Sequence, residues 1–134
     1  MIMNKEIENN FYLLLEKKSK FYSYAFKIFN EKDANRLIEL LKEHHIKASH
    51  IVYSYRIGSL NSLLEKSFNA KEPQGTASRP LIKVLNLKNT SNIIIVIARY
   101  YGGVKLGKSL LSRSYFKAAI GALENAKLSL DSLS

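Results

Sequence analysis

The sequence predicts one α+β domain, with a mixed or mostly antiparallel sheet and helices packed on one face. Three observations predict it. Phe21 to Phe29 and Ser49 to Ile57 alternate with the period of a half-buried strand. Ile93 to Ile97 is an unbroken β-branched run, and three further segments carry apolar residues at helical spacing. At 134 residues the chain fits a single core, since two halves would each bury too little surface.

Residues 1 to 10 are polar and are expected to be ragged, and Phe11 to Leu15 reads as a first short strand. In the second strand Tyr22, Tyr24, Phe26 and Ile28 share one face, with Ser23, Ala25 and Lys27 on the other. Asn30 offers a helix N-cap, and Asp33 places an acid in the first turn, where it meets the positive helix end. Ala34, Leu37, Ile38 and Leu41 follow at i, i+3, i+4 and i+7, an amphipathic helix to about His45. The next strand sets Ile51, Tyr53, Tyr55 and Ile57 opposite Val52, Ser54 and Arg56, and Gly58 to Lys71 is expected to be a mobile connection. A second helix follows Gly75-Thr76-Ala77-Ser78. Pro80 is tolerated in its first turn, where a missing N–H loses no intrahelical bond, and the helix ends near Asn89. The run from Ile93 fits a central strand covered on both faces. A last helix, from about Lys108 to Leu128, buries Leu111, Tyr115, Ala118 and Ala122 and sets Arg113 and Lys117 on its other side.

Composition narrows the function classes. There is no cysteine, which excludes disulfides, thiol catalysis and cysteine-based metal sites. Apolar runs are too short to span a bilayer and Lys5, Glu6 and Glu8 interrupt any signal peptide, so the chain reads as cytoplasmic and without a membrane partner. The net charge is +10, and +9 of it lies between Lys66 and Leu123, where ten bases face one acid, Glu72. Such a field attracts polyanions.

Two glycine-bearing loops, each feeding a helix N-terminus, are the places where chemistry is expected. The first is Glu72-Pro73-Gln74-Gly75-Thr76-Ala77-Ser78-Arg79, where small residues let backbone N–H groups approach a ligand and Thr76 adds a hydroxyl. Glu72 there is either a general acid or a buried partner of Arg79 or Arg99. The second runs from Arg99-Tyr100-Tyr101-Gly102-Gly103 through Lys105 and Gly107 to Lys108-Ser109. Bases interleaved with tyrosine suit phosphate contact and stacking on an unpaired base, with one of Tyr100 and Tyr101 packed in the core and the other exposed as the alternative. The Gly107-Lys108-Ser109 ending resembles a P-loop, but a Walker-type nucleotide site is discounted. His44 and His45, being adjacent, point to different helix faces and do not share a metal, and His50 reads as a hydrogen-bonded structural histidine. The only aspartates are Asp33 and Asp131, and no serine sits in a nucleophile-elbow pattern, so catalysis has little to rest on. No cofactor, catalytic residue or metal site is assigned.

Four stretches resemble the IMPACT (YigZ-like) family. They are Lys18-Ser19-Lys20-Phe21, Ala48-Ser49-His50 through Tyr55-Arg56-Ile57-Gly58, Glu72 through Pro80, and Ala98-Arg99-Tyr100-Tyr101-Gly102-Gly103-Val104-Lys105-Leu106-Gly107. The last is the family's most specific signature. The resemblance, from about Lys17 to Ala119, implies a fold like the second domain of ribosomal protein five of the small subunit, with a left-handed βαβ crossover. It also implies that the ferredoxin-like domain usual after this one in bacterial members is absent here, leaving 1–134 as a single domain. The family's Asp-Asp-Gly before the Glu-Pro step is Asn69-Ala70-Lys71 in this chain, its glycine at Ser78 is missing, and Ser109-Leu110 replaces a glycine pair. Losing both acids removes the best candidates for metal or acid–base work.

The leading expectation is a non-enzymatic, RNA- or ribosome-associated domain linked to translation regulation. Phosphates would meet Arg79, Arg99, Lys105, Lys108, Arg113 and Lys117, with Tyr100 or Tyr101 available to stack. One alternative is a phosphorylated-metabolite enzyme or sensor with a pocket near Glu72, Thr76, Arg99 and Gly103. Another is a protein-interaction module for a translation factor that uses the aromatic face of Tyr22, Tyr24 and Phe26.

Overall fold

The computed structural model describes residues 7, 9–59 and 61–133, with side chains through residue 126. The strands are β1 (Tyr12–Glu16), β2 (Ser19–Lys27), β3 (His50–Ser59), β4 (Ser62–Phe68) and β5 (Ile93–Tyr100). The helices are α1 (Glu31–His44), α2 (Ser78–Leu87) and α3 (Lys108–Leu133). The five strands form one sheet in the order β1-β2-β5-β3-β4, with every neighbouring pair antiparallel. Because β2 and β3 both oppose β5, they run parallel to each other and are joined through α1, a βαβ crossover with a strand inserted between its ends.

The α+β class and the antiparallel sheet are as expected, but the helices do not all share one face. Phe21, Ala25, Val52, Ile95 and Ile97 pack with α2 and α3, whereas Tyr24, Ile28, Tyr55, Ile94 and Val96 pack with α1. Successive strand residues point to opposite faces, so the apolar run of β5 needs cover on both. The apolar stripe of α1 (Ala34, Leu37, Ile38 and Leu41) supplies it on the second face. Residues 1–6 and 8 lie outside the described residues, so the ragged start expected for 1 to 10 is not described there; Ile7 is fully buried against the α1 face.

The expected mobile connection after Gly58 is instead a hairpin. Strand β4 pairs with β3 from Tyr53↔Phe68 to Ser59↔Ser62, and all seven of its residues are exposed. Two ion pairs hold it: from outside the sheet, Glu31 Oε2 on α1 lies 2.9 Å from Lys66 Nζ, and within the sheet Arg56 Nε on β3 lies 3.0 Å from Glu65. The buried Arg56 guanidinium also donates to the carbonyls of Leu85 and Thr90 and to Asn86, placing positive charge at the C-terminal end of α2.

The caps explain where helices begin. The Asn30 side chain accepts from the Asp33 N–H at 2.8 Å, and the Asp33 carboxylate accepts from Phe29 N at 3.1 Å. At α2 the capping oxygen comes from far away: Asn69 Oδ1 accepts from Ala77 N at 3.0 Å and Ser78 N at 2.9 Å. Among the described residues no helix is long and apolar enough to cross a membrane.

Candidate nucleic-acid interface

The loop from Glu72 to Arg79 and the turn after β5 meet around a buried ion pair. Arg99 leaves the end of β5 and donates from one terminal nitrogen to both Glu72 oxygens, each at 2.8 Å. Tyr115 on α3 donates to the same carboxylate, and His50 Nε2 lies 3.4 Å from it. Nδ1 of His50 bonds the Ala70 carbonyl at 2.7 Å and so carries a proton, since a carbonyl only accepts. Burial, and after it the Glu72 charge, holds the Tyr115 hydroxyl well above its ordinary pKa. The network welds the 72–79 loop to β3, β5 and α3. Arg99 is therefore a buried partner of Glu72, not part of an exposed basic face, and Glu72 resolves as the ion-pair partner that was one of its two readings.

Three clefts surround this core. The first, about 540 Å³, lies between α2 and the start of α3; Arg79, Lys83, Lys108 and Arg113 line it with Thr76, Ser109 and Ser112. The second, about 530 Å³, lies over the ion pair, with Tyr101, Lys105, Gly107 and Lys108 around Glu72 and Arg99. The third, about 520 Å³, is an open cleft lined by Lys18, Lys20, Tyr22, His45, Tyr100 and Tyr101, with His44 beside them.

Of the predicted bases, Arg79, Lys108 and Arg113 thus come together and Lys105 joins them through the second cleft, whereas Lys117 is exposed on α3 and lines none of the three. The α2 N-terminus is not open to a ligand in the way expected, because Asn69 already takes its Ala77 and Ser78 N–H groups. Thr76 is buried with its hydroxyl donated to the Pro73 carbonyl at 2.6 Å, and Gly75 (φ 73) makes the turn. Tyr100 and Tyr101 divide, as the alternative reading had it, into a more covered and an exposed ring, but Tyr100 is half-buried at a cleft and not packed in the core as that reading expected. Tyr100 bonds His45 Nδ1 at 2.7 Å, and Tyr101 is exposed. The aromatic face of Tyr22, Tyr24 and Phe26 is largely covered: Tyr24 is buried, and Phe11 packs on Tyr22 and Tyr24.

The glycines of the second loop have distinct jobs. A side chain at Gly102 would overlap the Lys18 carbonyl, so glycine lets the turn after β5 lie against the β1–β2 turn. Gly103 (φ 88) and Gly107 (φ 77) adopt left-handed conformations, Gly107 where the chain enters α3. Gly102 to Ser109 does carry the Gly-x4-Gly-Lys-Ser spacing of a P-loop, so spacing does not dismiss a Walker site. Its surroundings do: Gly102 is pressed against Lys18, Leu106 is buried in the core, and the strand before it belongs to an antiparallel sheet. Among the described residues no group of three or more His, Asp or Glu side chains is placed to hold a metal ion.

Sequence reasoning missed Lys83 and most of the third cleft. Lys83 was legible, one turn beyond Arg79 on α2. Lys20 and Tyr22 reach Tyr100 through the β2–β5 register, in which Lys20 pairs with Tyr100, Lys18 through the packing of its carbonyl on Gly102, and His45 through its bond to the Tyr100 hydroxyl from the end of α1.

The sequence profile of the Impact N-terminal domain matches residues 17–123. The chain belongs to the IMPACT family. It is 33% identical to the IMPACT family member YvyE of Bacillus subtilis (strain 168) over 108 residues, covering 81% of this chain and 49% of that protein. It is 29% identical to YigZ of Escherichia coli (strain K12), covering 74% and 49%. The IMPACT-family fold also appears in a hypothetical protein of known crystal structure, with TM-score 0.81, 27% identity, and 85% of this chain and 56% of that one covered. The two-domain translational regulator Yih1 superposes with TM-score 0.56 at 20% identity, covering 87% and 47%, a likeness of fold. The chain spans about half the length of these IMPACT relatives.

Proposed function

We propose that this IMPACT domain is an RNA- or ribosome-binding module of translation regulation that acts by binding, not by catalysis. The observation that carries the reading is the cleft between α2 and α3: four bases, Arg79, Lys83, Lys108 and Arg113, converge there with two serine hydroxyls and, among the described residues, no carboxylate. Phosphate contacts of this kind supply affinity without sequence preference. The description of the fold neighbour Yih1 as a translational regulator supports the regulatory part. Both His50 ring nitrogens and both Glu72 oxygens face internal partners, which favours binding over proton transfer.

The test is binding to labelled single-stranded RNA, duplex RNA and purified ribosomes across a salt series. Each neutralised phosphate contributes roughly 0.7 to 0.9 to the log–log slope, so four cleft bases give a slope of about −3. The triple variant Lys105→Glu/Lys108→Glu/Arg113→Glu keeps its fold, since all three positions are exposed, and loses binding. Unchanged RNA affinity in that variant would place the surface elsewhere. A second reading, a phosphorylated metabolite in the cleft over Glu72 and Arg99, is favoured only by that cleft's volume. A saturable thermal shift with such a metabolite, in the absence of RNA binding, would select it.

A further inference from the structure

Lys108 lines both the first and second clefts, and Tyr101 lines both the second and third. The three clefts therefore adjoin in series from the α2–α3 gap, past the ion pair, to the β1–β2 turn, and together they make a grooved surface. Among the described residues its only lining carboxylate is Glu72, which is paired with Arg99. The groove changes character along its length, from bases and hydroxyls at one end to lysines and aromatic rings at the other.

At the aromatic end, Tyr22 and His45 stack at 5.2 Å with planes 30° apart, and Tyr22 meets Tyr100 edge-on at 5.5 Å. His45 bonds the Tyr24 hydroxyl through Nε2 at 2.6 Å and the Tyr100 hydroxyl through Nδ1 at 2.7 Å, so this floor is already set. Tyr101 differs: the buried Arg99 guanidinium lies 5.8 Å from its ring centroid, and 47% of the residue is exposed. Lys18 comes to it because Gly102 packs on the Lys18 carbonyl, and Lys20 because it pairs with Tyr100. Two of the motifs singled out in the sequence, Lys18-Ser19-Lys20 and Tyr100-Tyr101-Gly102, thereby build one pocket of about 520 Å³, within the usual range for a small ligand.

We propose that this pocket is the base-binding end of a single-stranded RNA groove. One unpaired nucleobase stacks on Tyr101, its phosphate meets Lys18 and Lys20, and the strand continues past Lys105 and Lys108 into the α2–α3 cleft. An exposed ring beside cations suits a ligand that is both aromatic and anionic, which polyglutamate is not. A base inside a duplex has both faces covered by its neighbours, so the pocket selects single strands. The proposal rests on the RNA reading above, and its test separates the two.

Adenosine 5′-monophosphate, ribose 5-phosphate and a polyglutamate peptide are titrated while tyrosine ring signals are followed by NMR. Single-strand and duplex RNA affinities are measured for wild type, Tyr101→Ala and Lys18→Ala/Lys20→Ala. The monophosphate shifts the Tyr101 and Tyr22 rings, and the two controls leave them in place. Tyr101→Ala weakens single-strand binding about 5- to 100-fold, the range for loss of one base–aromatic stack, with duplex affinity unchanged. The lysine pair variant weakens single-strand binding more than duplex binding. Equal loss for both RNA forms in either variant, or ring shifts with polyglutamate, overturns the proposal. If RNA binds while the rings stay unmoved, the subsite falls and the RNA reading stands. If wild type binds no RNA yet the monophosphate moves the rings, the RNA groove falls and a nucleotide pocket remains.

Discussion

Glu72 and Arg99 show what a single buried pair does for this domain. Removing both charges from water is costly, and the arrangement repays it only because both Glu72 oxygens and one Arg99 nitrogen are well bonded. Replacing one partner leaves the other buried and uncompensated. Glu72→Gln and Arg99→Met are each expected to destabilise the domain by about 3–5 kcal/mol in urea unfolding, and the double replacement by less than the sum. That Glu72 had a buried arginine partner was among the readings the sequence allowed, because it is the lone acid of a basic segment. Which arginine it takes depends on the direction in which β5 presents residue 99, and this follows from the sheet and not from local spacing.

At the scale of elements, helices and central strands were legible because their signals are local and periodic. The α1 stripe, its Asn30 cap and the buried face of α3 lie where periodicity places them. Strand β4 was not legible. With every residue exposed it has no alternation to read, and its existence depends on pairing with β3. The cap of α2 was hidden for a related reason, since Asn69 lies eight and nine residues before the N–H groups it accepts from. Asn69 also donates through Nδ2 to the Glu72 and Pro73 carbonyls, so one side chain organises the whole loop. Asn69→Ala is expected to cost about 1–2 kcal/mol, read as a lowered denaturant midpoint, as for other lost caps. Asn69→Asp, which keeps the capping oxygen, is expected to lose less.

At the scale of the molecule, the exposed bases were visible in the sequence, but the groove that connects them was not. It requires α2, α3, β5 and the β1–β2 turn to converge, and no residue spacing encodes that. His45 ties α1 to β2 and β5 through its two tyrosine bonds. Burial, and then the neighbouring His44, pushes its imidazole down to about 4 from an ordinary 6.5. Tyr22, Tyr24 and Tyr100 are the other titratable groups against it, and burial raises the last two further from neutrality. The folded state therefore favours the neutral ring. The unfolded chain binds more protons between pH 6.5 and 4, so the stabilisation is complete above about 6.5 and lost as pH falls toward 4. Unfolding midpoints at pH 7, 5.5 and 4.5 should fall more steeply for wild type than for His45→Gln.

The strand β5 belongs to both apolar clusters at once, contributing Ile95 and Ile97 to one and Ile94 and Val96 to the other. Neither half of the molecule can open without disturbing the strand on which the other is built. In amide hydrogen exchange the N–H groups of Ile94 to Ile97 should therefore be released only by global unfolding, whereas exposed β4 exchanges through local opening on a far shorter clock. The domain should behave as one cooperative unit with a loose flap, and proteolytic nicking should begin at that flap.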